Sequence, residues 1–272
     1  MSRYPRVAVV IVTHNRNKDC KETIESLLRG SELPDEIIVV DDASSKPFKF
    51  EHELVRVLRY DNEIGLSASR NAGVRASRAN VIAFIDDDAL ATKDWIKIIR
   101  RAFRKDIDVA GGPVLPLYLV TPPKWWEEKT WGSYIGVSKD RIIGCNFAVR
   151  KSLFSDIGYF NTRLGRKKGK LLSNEEIEFI EDRASKAGAK ILFISNMKVY
   201  HKIYPHRLTM WYLMKRSWWQ GRSDFMRHPG SYRRKPKIVV RIMVKLLKCV
   251  LYPTQFRKWI LTIIYDLGYL FS

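Results

Sequence analysis

Three apolar, β-branched-rich runs near the start of the chain each end in a cluster of polar residues, and this repetition constrains the fold more than any other feature. Residues 6–12 run into Thr13-His14-Asn15, residues 36–40 into Asp41-Asp42, and residues 81–85 into Asp86-Asp87-Asp88. Short continuous apolar runs with polar ends read as strands buried on both faces. Between them, residues 17–29 place Cys20, Ile24, Leu27 and Leu28 at helical spacing and stop at Gly30. Residues 67–77 read as a second helix, and residues 55–60 as another strand. A further helix is expected over 174–187, stopped by Gly188, then a strand over 190–194 and the segment Val199-Tyr200-His201. Repeated strand and helix alternation implies an α/β fold with a mostly parallel sheet flanked by helices. Ligands of such sheets bind beyond the carboxyl ends of the strands, so the three polar ends point to one crevice. Residues 111–146, with Pro, Gly and Trp and no clean period, read as loops and short strands beside it.

The chain has 272 residues, of which 46% are hydrophobic and 29% charged, which excludes a disordered chain or a fibre. Its three cysteines, Cys20, Cys145 and Cys249, are odd in number and form no C-x-x-C pair. That leaves neither a zinc ribbon nor a disulfide framework, and it suits a reducing compartment. The apolar run at 7–12 is too short and wrongly flanked for a signal peptide, and no 18-residue uninterrupted apolar stretch exists. A cytoplasmic protein is expected. Lys and Arg number 49 against 29 Asp and Glu, a net charge of +20 that favours an anionic partner. The excess is uneven: residues 202–272 hold 15 Lys and Arg but only Asp224 and Asp266 as acids. We place a boundary at Tyr204-Pro205, giving an α/β domain over 1–205 and a basic, Trp-rich helical extension over 206–272.

No G-x-G-x-x-G follows a strand, and no G-x-x-x-x-G-K-[ST] occurs, which disfavours dinucleotide oxidoreductases and P-loop enzymes. Three consecutive Asp after a buried strand offer hard oxygen ligands for Mg²⁺ or Mn²⁺ that can also bridge a diphosphate. The alternative is a solvated acidic turn before the helix that begins near Trp95. Four segments then combine: V-A-V-V-I-V-T-H-N-R at 7–16, I-I-V-V-D-D-A-S at 37–44, G-L-S-A-S-R-N-A-G at 65–73 and I-A-F-I-D-D-D-A at 82–89. In order and spacing they resemble the nucleotide-sugar-binding half of family 2 glycosyltransferases with the GT-A fold. N-E-E-I-E-F at 174–179 is similar to the family's Glu-Asp stretch, and V-Y-H at 199–201 to its strand-end His.

The resemblance implies an inverting transferase that uses a nucleoside-diphosphate-sugar donor and Mn²⁺ or Mg²⁺. Thr13 and its neighbour Asn15 would contact the nucleotide, Asp42 with Asp41 behind it would read the base, and Arg70 would lie near the donor. Asp88 would ligate the metal, with Asp86 or Asp87 on ribose or sugar, and Asp86 and His201 as further candidate ligands. An acceptor hydroxyl is a weak nucleophile until a carboxylate takes its proton. Glu176 is the expected base, with Glu175 as the alternative because the family's usual residue at the second acidic position is Asp. Read without the family, Glu175 and Glu176 could simply offset a helix dipole, and His201 could be structural. His14 is given a packing or backbone-ordering role. Trp125 and Trp126 suit either an acceptor wall or the core.

Residues 237–252 carry Lys237, Arg241, Lys245 and Lys248 as one cationic stripe on an otherwise apolar helix, which suits lying flat on an anionic membrane. A peripheral position on the cytoplasmic face would fit a glycan or lipid-phosphate acceptor such as polyprenyl or dolichyl phosphate. Competing readings of the tail are packing on the domain, contact with a second copy, and nucleic-acid binding, the last disfavoured because no binding motif occurs. Two other functions remain in play: a sugar-phosphate nucleotidyltransferase, which would normally show a Gly-rich N-terminal loop, and a non-enzymatic basic scaffold.

Overall fold

A computed structural model describes residues 4–228 and 235–272, and its sheet grows outward from the first apolar run. In chain order the first elements are β1 (Val7–Thr13), α1 (Asn17–Leu28), β2 (Glu36–Asp42), β3 (Val55–Tyr60), α2 (Leu66–Ala76), β4 (Val81–Ile85), β5 (Ala89–Ala91) and α3 (Trp95–Phe103). Next come β6 (Val109–Gly111), β7 (Val114–Tyr118), α4 (Glu128–Trp131), β8 (Asn146–Arg150), α5 (Leu153–Ile157) and α6 (Glu175–Ile177). The last are β9 (Ile191–Phe193), β10 (Val199–Ile203), α7 (Met210–Arg227), α8 (Lys235–Leu251) and α9 (Phe256–Leu270). A seven-stranded sheet has the order β3-β2-β1-β4-β8-β6-β9, and a three-stranded sheet the order β5-β10-β7.

The large sheet is mostly parallel, and its inverted strand is the one that shapes the site. β1 pairs in parallel with β2 and β4, whereas β8 runs antiparallel to both β4 and β6. Ile85, the last residue of β4, therefore faces Asn146, the first of β8, which brings the loop around Gly144 to the acidic strand end. Both faces of β1 are buried, as its unbroken apolar sequence requires. Val7, Val9 and Ile11 pack with Cys20, Ile24, Trp95 and Ile99 on one side, and Ala8 and Val10 with Val74, Phe84, Phe147 and Phe179 on the other.

The helix expected over 174–187 is present but wound differently. After the three residues of α6 it widens into a π-helical stretch, Glu178–Ala184. Asn174 opens it in a left-handed conformation, φ 74°. Trp125 and Trp126 belong to a third apolar cluster with Trp131, Leu208 and Leu261, and the Trp126 indole donates to Tyr118 Oη at 3.0 Å.

The terminal helices pack tightly at one crossing. A Cβ on Gly221 of α7 would lie 2.0 Å from the Tyr265 carbonyl oxygen, and one on Gly268 of α9 would lie 2.1 Å from that of Trp218. Only glycine permits such an approach. α8 then packs on α9, turning Arg241 and Lys245 toward Asp266, which is fully buried. The cationic stripe of α8 is thus spent partly on an internal carboxylate, and most of the helix's apolar side chains face outward.

Candidate active site

A cavity of about 1180 Å³ opens beyond the carboxyl ends of β2 and β4, lined by Asp42, Asp86, Asp87, Asp88, Glu175 and Glu176 among others. β4 ends at Ile85, so its next three residues enter the cavity together. Asp88 is almost wholly buried among an imidazole and two guanidinium groups: His201 Nε2 lies 3.1 Å from its Oδ1, Arg207 Nη2 donates to Oδ2 at 2.8 Å, and Arg16 pairs with the same oxygen. Burial alone would raise its pKa, but His201, Arg207 and Arg16 overcome that and hold it well below the carboxylate range. Its neighbour pays the electrostatic cost: burial and the charge of Asp88 push Asp87 up to about 8, against Arg16 and a 2.8 Å hydrogen bond from Thr13 Oγ1.

Asp86, Asp88 and His201 each bring one potential ligand atom to within 4.8 Å of the others. Two carboxylates and an imidazole suit a divalent ion such as Mn²⁺ or Mg²⁺. The fit extends to the ring itself. Nε2 lies 3.1 Å from Asp88 Oδ1 and 3.0 Å from Arg207 Nη1, while Nδ1 is buried with no hydrogen-bond partner.

Arg70 of α2 clamps the two acidic segments together. It donates to Glu175 Oε1 at 2.8 Å, Asp86 Oδ1 at 3.1 Å and the Gly144 carbonyl at 2.8 Å. Burial would lower its pKa, yet Glu175 and Asp86 raise it. Glu176 accepts from the Gly144 N–H at 3.1 Å, so the chain reversal before β8 orients this carboxylate. Burial and the adjacent Glu176 push Glu175 up to about 7 despite Arg70, and its Oε2 is buried without a partner.

The residues singled out from the sequence divide into those that line the cavity and those that build it. Asp42, Arg70, all three consecutive Asp, both Glu and His201 line it. Asp42 also accepts the Ile64 and Gly65 N–H groups, fixing the loop that leads into α2. Thr13, Asn15 and Asp41 do not line the cavity. Asp41 is fully buried and takes N–H bonds from Ser44 and Phe48 and a 2.6 Å bond from Arg59, which outweigh burial and lower its pKa. Asn15 is left-handed, φ 58°, and holds Ser45 through its side chain. His14 Nδ1 donates to the Asp42 carbonyl at 2.6 Å, an ordering role for the backbone.

Sequence reasoning placed Arg70 at the site but missed the other cations and the contribution of α7. Arg16 ends the first quoted motif and was given no role, while Arg207 meets Asp88 only through the return of β10. Arg216, Gln220 and Asp224 of α7 reach the cavity, where Gln220 Nε2 donates to Asn174 Oδ1 at 2.8 Å and Asn174 donates to Asp224. Arg166 and Arg216 both line the cavity and form no ion pair among the described residues. Burial lowers the pKa of Arg216, and the charge of Arg166 lowers it further. No signal in the order of residues singled out these groups, because the helix that supplies Arg216 reads equally well as a membrane segment.

Known proteins resemble this chain in both sequence and fold. A glucosyl-dolichyl phosphate glucuronosyltransferase of Haloferax volcanii is 27% identical over 238 residues, covering 80% of this chain and 76% of its own. A mannosyltransferase of Pyrobaculum calidifontis, solved with GDP-Man and Mn²⁺, superposes with a TM-score of 0.60 at 13% identity, over 97% of this chain and 86% of the other. TarS of S. aureus, solved with UDP, gives a TM-score of 0.55 at 17% identity, over 97% and 90%. These superpositions identify the architecture as the GT-A fold. Residues 8–160, which span the four N-terminal motifs except for Val7 and include the acidic end of β4, match the glycosyl transferase family 2 model. The chain belongs to glycosyl transferase family 2 and is a glycosyltransferase.

Proposed function

We propose that this glycosyltransferase moves a sugar, with inversion, from a nucleoside-diphosphate donor to a hydroxyl of a lipid-phosphate-linked acceptor. The observation that carries the reading is the convergence, in one cavity, of the Asp86, Asp88 and His201 set with the Glu175 and Glu176 pair, bridged by Arg70. The acceptor class is supported by the name of the Haloferax relative, and by Arg166 and Arg216, two cavity cations without a carboxylate partner that suit a phosphate. Residues 1–205 would carry the transferase domain, and 206–272 a helical extension that closes one side of its cleft, at the cytoplasmic face of a membrane.

In this reading Asp86, Asp88 and His201 hold Mn²⁺ or Mg²⁺, which when bound offsets the negative charge of the diphosphate leaving group. Asp42, at the end of β2, meets the base, and Asp87 meets the ribose or sugar. Glu176 takes the proton of the acceptor hydroxyl as its oxygen bonds to the anomeric carbon and the bond to the diphosphate breaks. The Gly144 N–H keeps the Glu176 carboxylate aimed, while Arg70 holds Glu175 and Asp86 at fixed separation. Arg16 and Arg207 keep Asp88 ionised and therefore competent as a ligand.

The test is calorimetric titration with GDP and UDP and their sugars, each with and without Mn²⁺. Metal-dependent binding of one nucleotide is expected, and Asp88→Asn should weaken it by at least about tenfold, the loss of one ligand. Equal binding with and without Mn²⁺ in the wild type would remove the metal from the reading.

A further inference from the structure

α8 leaves most of its apolar side chains in the open. Val240, Met243 and Val250 are 61%, 65% and 77% exposed, and Val239, Val244, Leu246, Leu247 and Leu251 are exposed beside them. Three of its charged side chains reach back to α9: Arg241 Nε lies 3.0 Å and Lys245 Nζ 2.6 Å from Asp266 Oδ2, and Lys248 Nζ stands 4.8 Å from the centre of the Trp259 ring. A buried carboxylate must be paired, so Asp266 dictates which face of α8 packs and leaves the apolar face in the open. A contiguous exposed apolar face of this kind marks an interaction surface.

We propose that this face of α8 lies in the plane of an anionic lipid bilayer, with its apolar side chains among the acyl chains. Charge complementarity selects that occupant. Between Asp224 and Asp266 the sequence contains ten Lys and Arg and no Asp or Glu. Anionic headgroups would balance this charge, whereas a second copy across a two-fold axis would set it against itself. Geometry selects an in-plane position. The 17 residues of α8 extend about 25 Å, less than a ~30 Å hydrocarbon core, and no helix among the described residues is long and apolar enough to cross a membrane. An apolar groove of about 550 Å³, lined by Met210, Met214, Pro253, Phe256 and Ile260 among others, adjoins the turn that follows α8 and extends the surface.

The docking face is tied to the cavity through a short chain of contacts. α8 is locked to α9 by Asp266, α9 to α7 by the glycine crossing, and α7 reaches the cavity with Arg216, Gln220 and Asp224. A bilayer bound to α8 is thus held at a fixed offset from the acceptor side of the site. The surface goes beyond the proposed reaction and does not depend on which sugar or acceptor is used.

The test is flotation of the full-length chain with phosphatidylcholine vesicles, with and without phosphatidylglycerol, and needs neither nucleotide nor acceptor. An inactive transferase would still report on the membrane. The wild type should float with the anionic vesicles and stay largely bound at salt that screens surface charge, because the apolar contact is not screened. The double variant Val240→Glu, Leu247→Glu should lose about tenfold in vesicle affinity with an unchanged thermal midpoint. Lys186→Glu, an equal change in net charge outside the extension, should float as the wild type does. Three results would overturn the proposal: flotation of the double variant equal to the wild type, complete release of the wild type by salt, or no flotation together with a dimer by light scattering that the double variant splits.

Discussion

The sheet half and the helical end are each organised around one buried carboxylate, and they use it in opposite ways. Asp88 collects Arg16 from one stretch of chain and His201 and Arg207 from another, and remains at the wall of a cavity. Asp266 collects Arg241 and Lys245 from one helix, four residues apart, and is closed off from solvent. The first arrangement leaves a carboxylate strongly ionised and able to exchange partners. The second fixes an orientation and nothing more, turning α8 so that its apolar side faces out. Burying a charge is therefore compatible with chemistry or with architecture, depending on whether the ion is left a free approach.

Replacing the base should separate the two regions most sharply. Glu176→Gln is expected to slow transfer by about 10²–10⁴-fold in single-turnover assays while nucleotide binding persists, since a general base contributes about that much. Unchanged turnover would move the role to Glu175. A smaller effect should come from the crossing that joins the regions. Gly221→Ala sets a Cβ against the Tyr265 carbonyl, and overpacking of this kind costs about 1–3 kcal/mol. Limited proteolysis should then release the terminal helices while the sheet domain stays protected. Cleavage identical to the wild type would show that the crossing can relax.

The smallest expected effect is a pH dependence confined to the sheet half. Glu175 has a pKa raised from 4.5 to about 7 in the fold, so folding takes up a proton between these values. Stability from this group is present below pH 4.5 and is lost as pH rises through about 7. Removing the ionisation with Glu175→Gln should flatten the fall in thermal midpoint by a few degrees, since ~1 kcal/mol moves a domain this size by about 2–4 °C. An unchanged slope would assign the dependence to Asp87.

Much of the sheet half was legible because strand burial and strand ends are local patterns. Residues 6–12, 36–40 and 81–85 are β1, β2 and β4 to within a residue or two, and they pair in parallel as the alternation implied. The acidic ends of β2 and β4 do meet at one cavity. The inversion of β8 was not legible, since its five residues have the same apolar character whichever way they run. Nor was the π-helical winding after Glu175, because periodicity at that length does not distinguish it from an α-helix.

The order of residues by itself determined which segments must be buried, because continuous apolar runs have no other stable place, and hence where the carboxylates emerge together. Only the tertiary structure decided which charges meet. Arg207 reaches Asp88, and Arg241 and Lys245 reach Asp266, across 119, 25 and 21 positions of chain. A charge pairs with whatever opposite charge folding brings within a few ångströms, and spacing along the chain carries no record of that. The cationic stripe on α8 shows the consequence: its periodicity was plain from the sequence, but which way it faced depended on one buried aspartate on another helix.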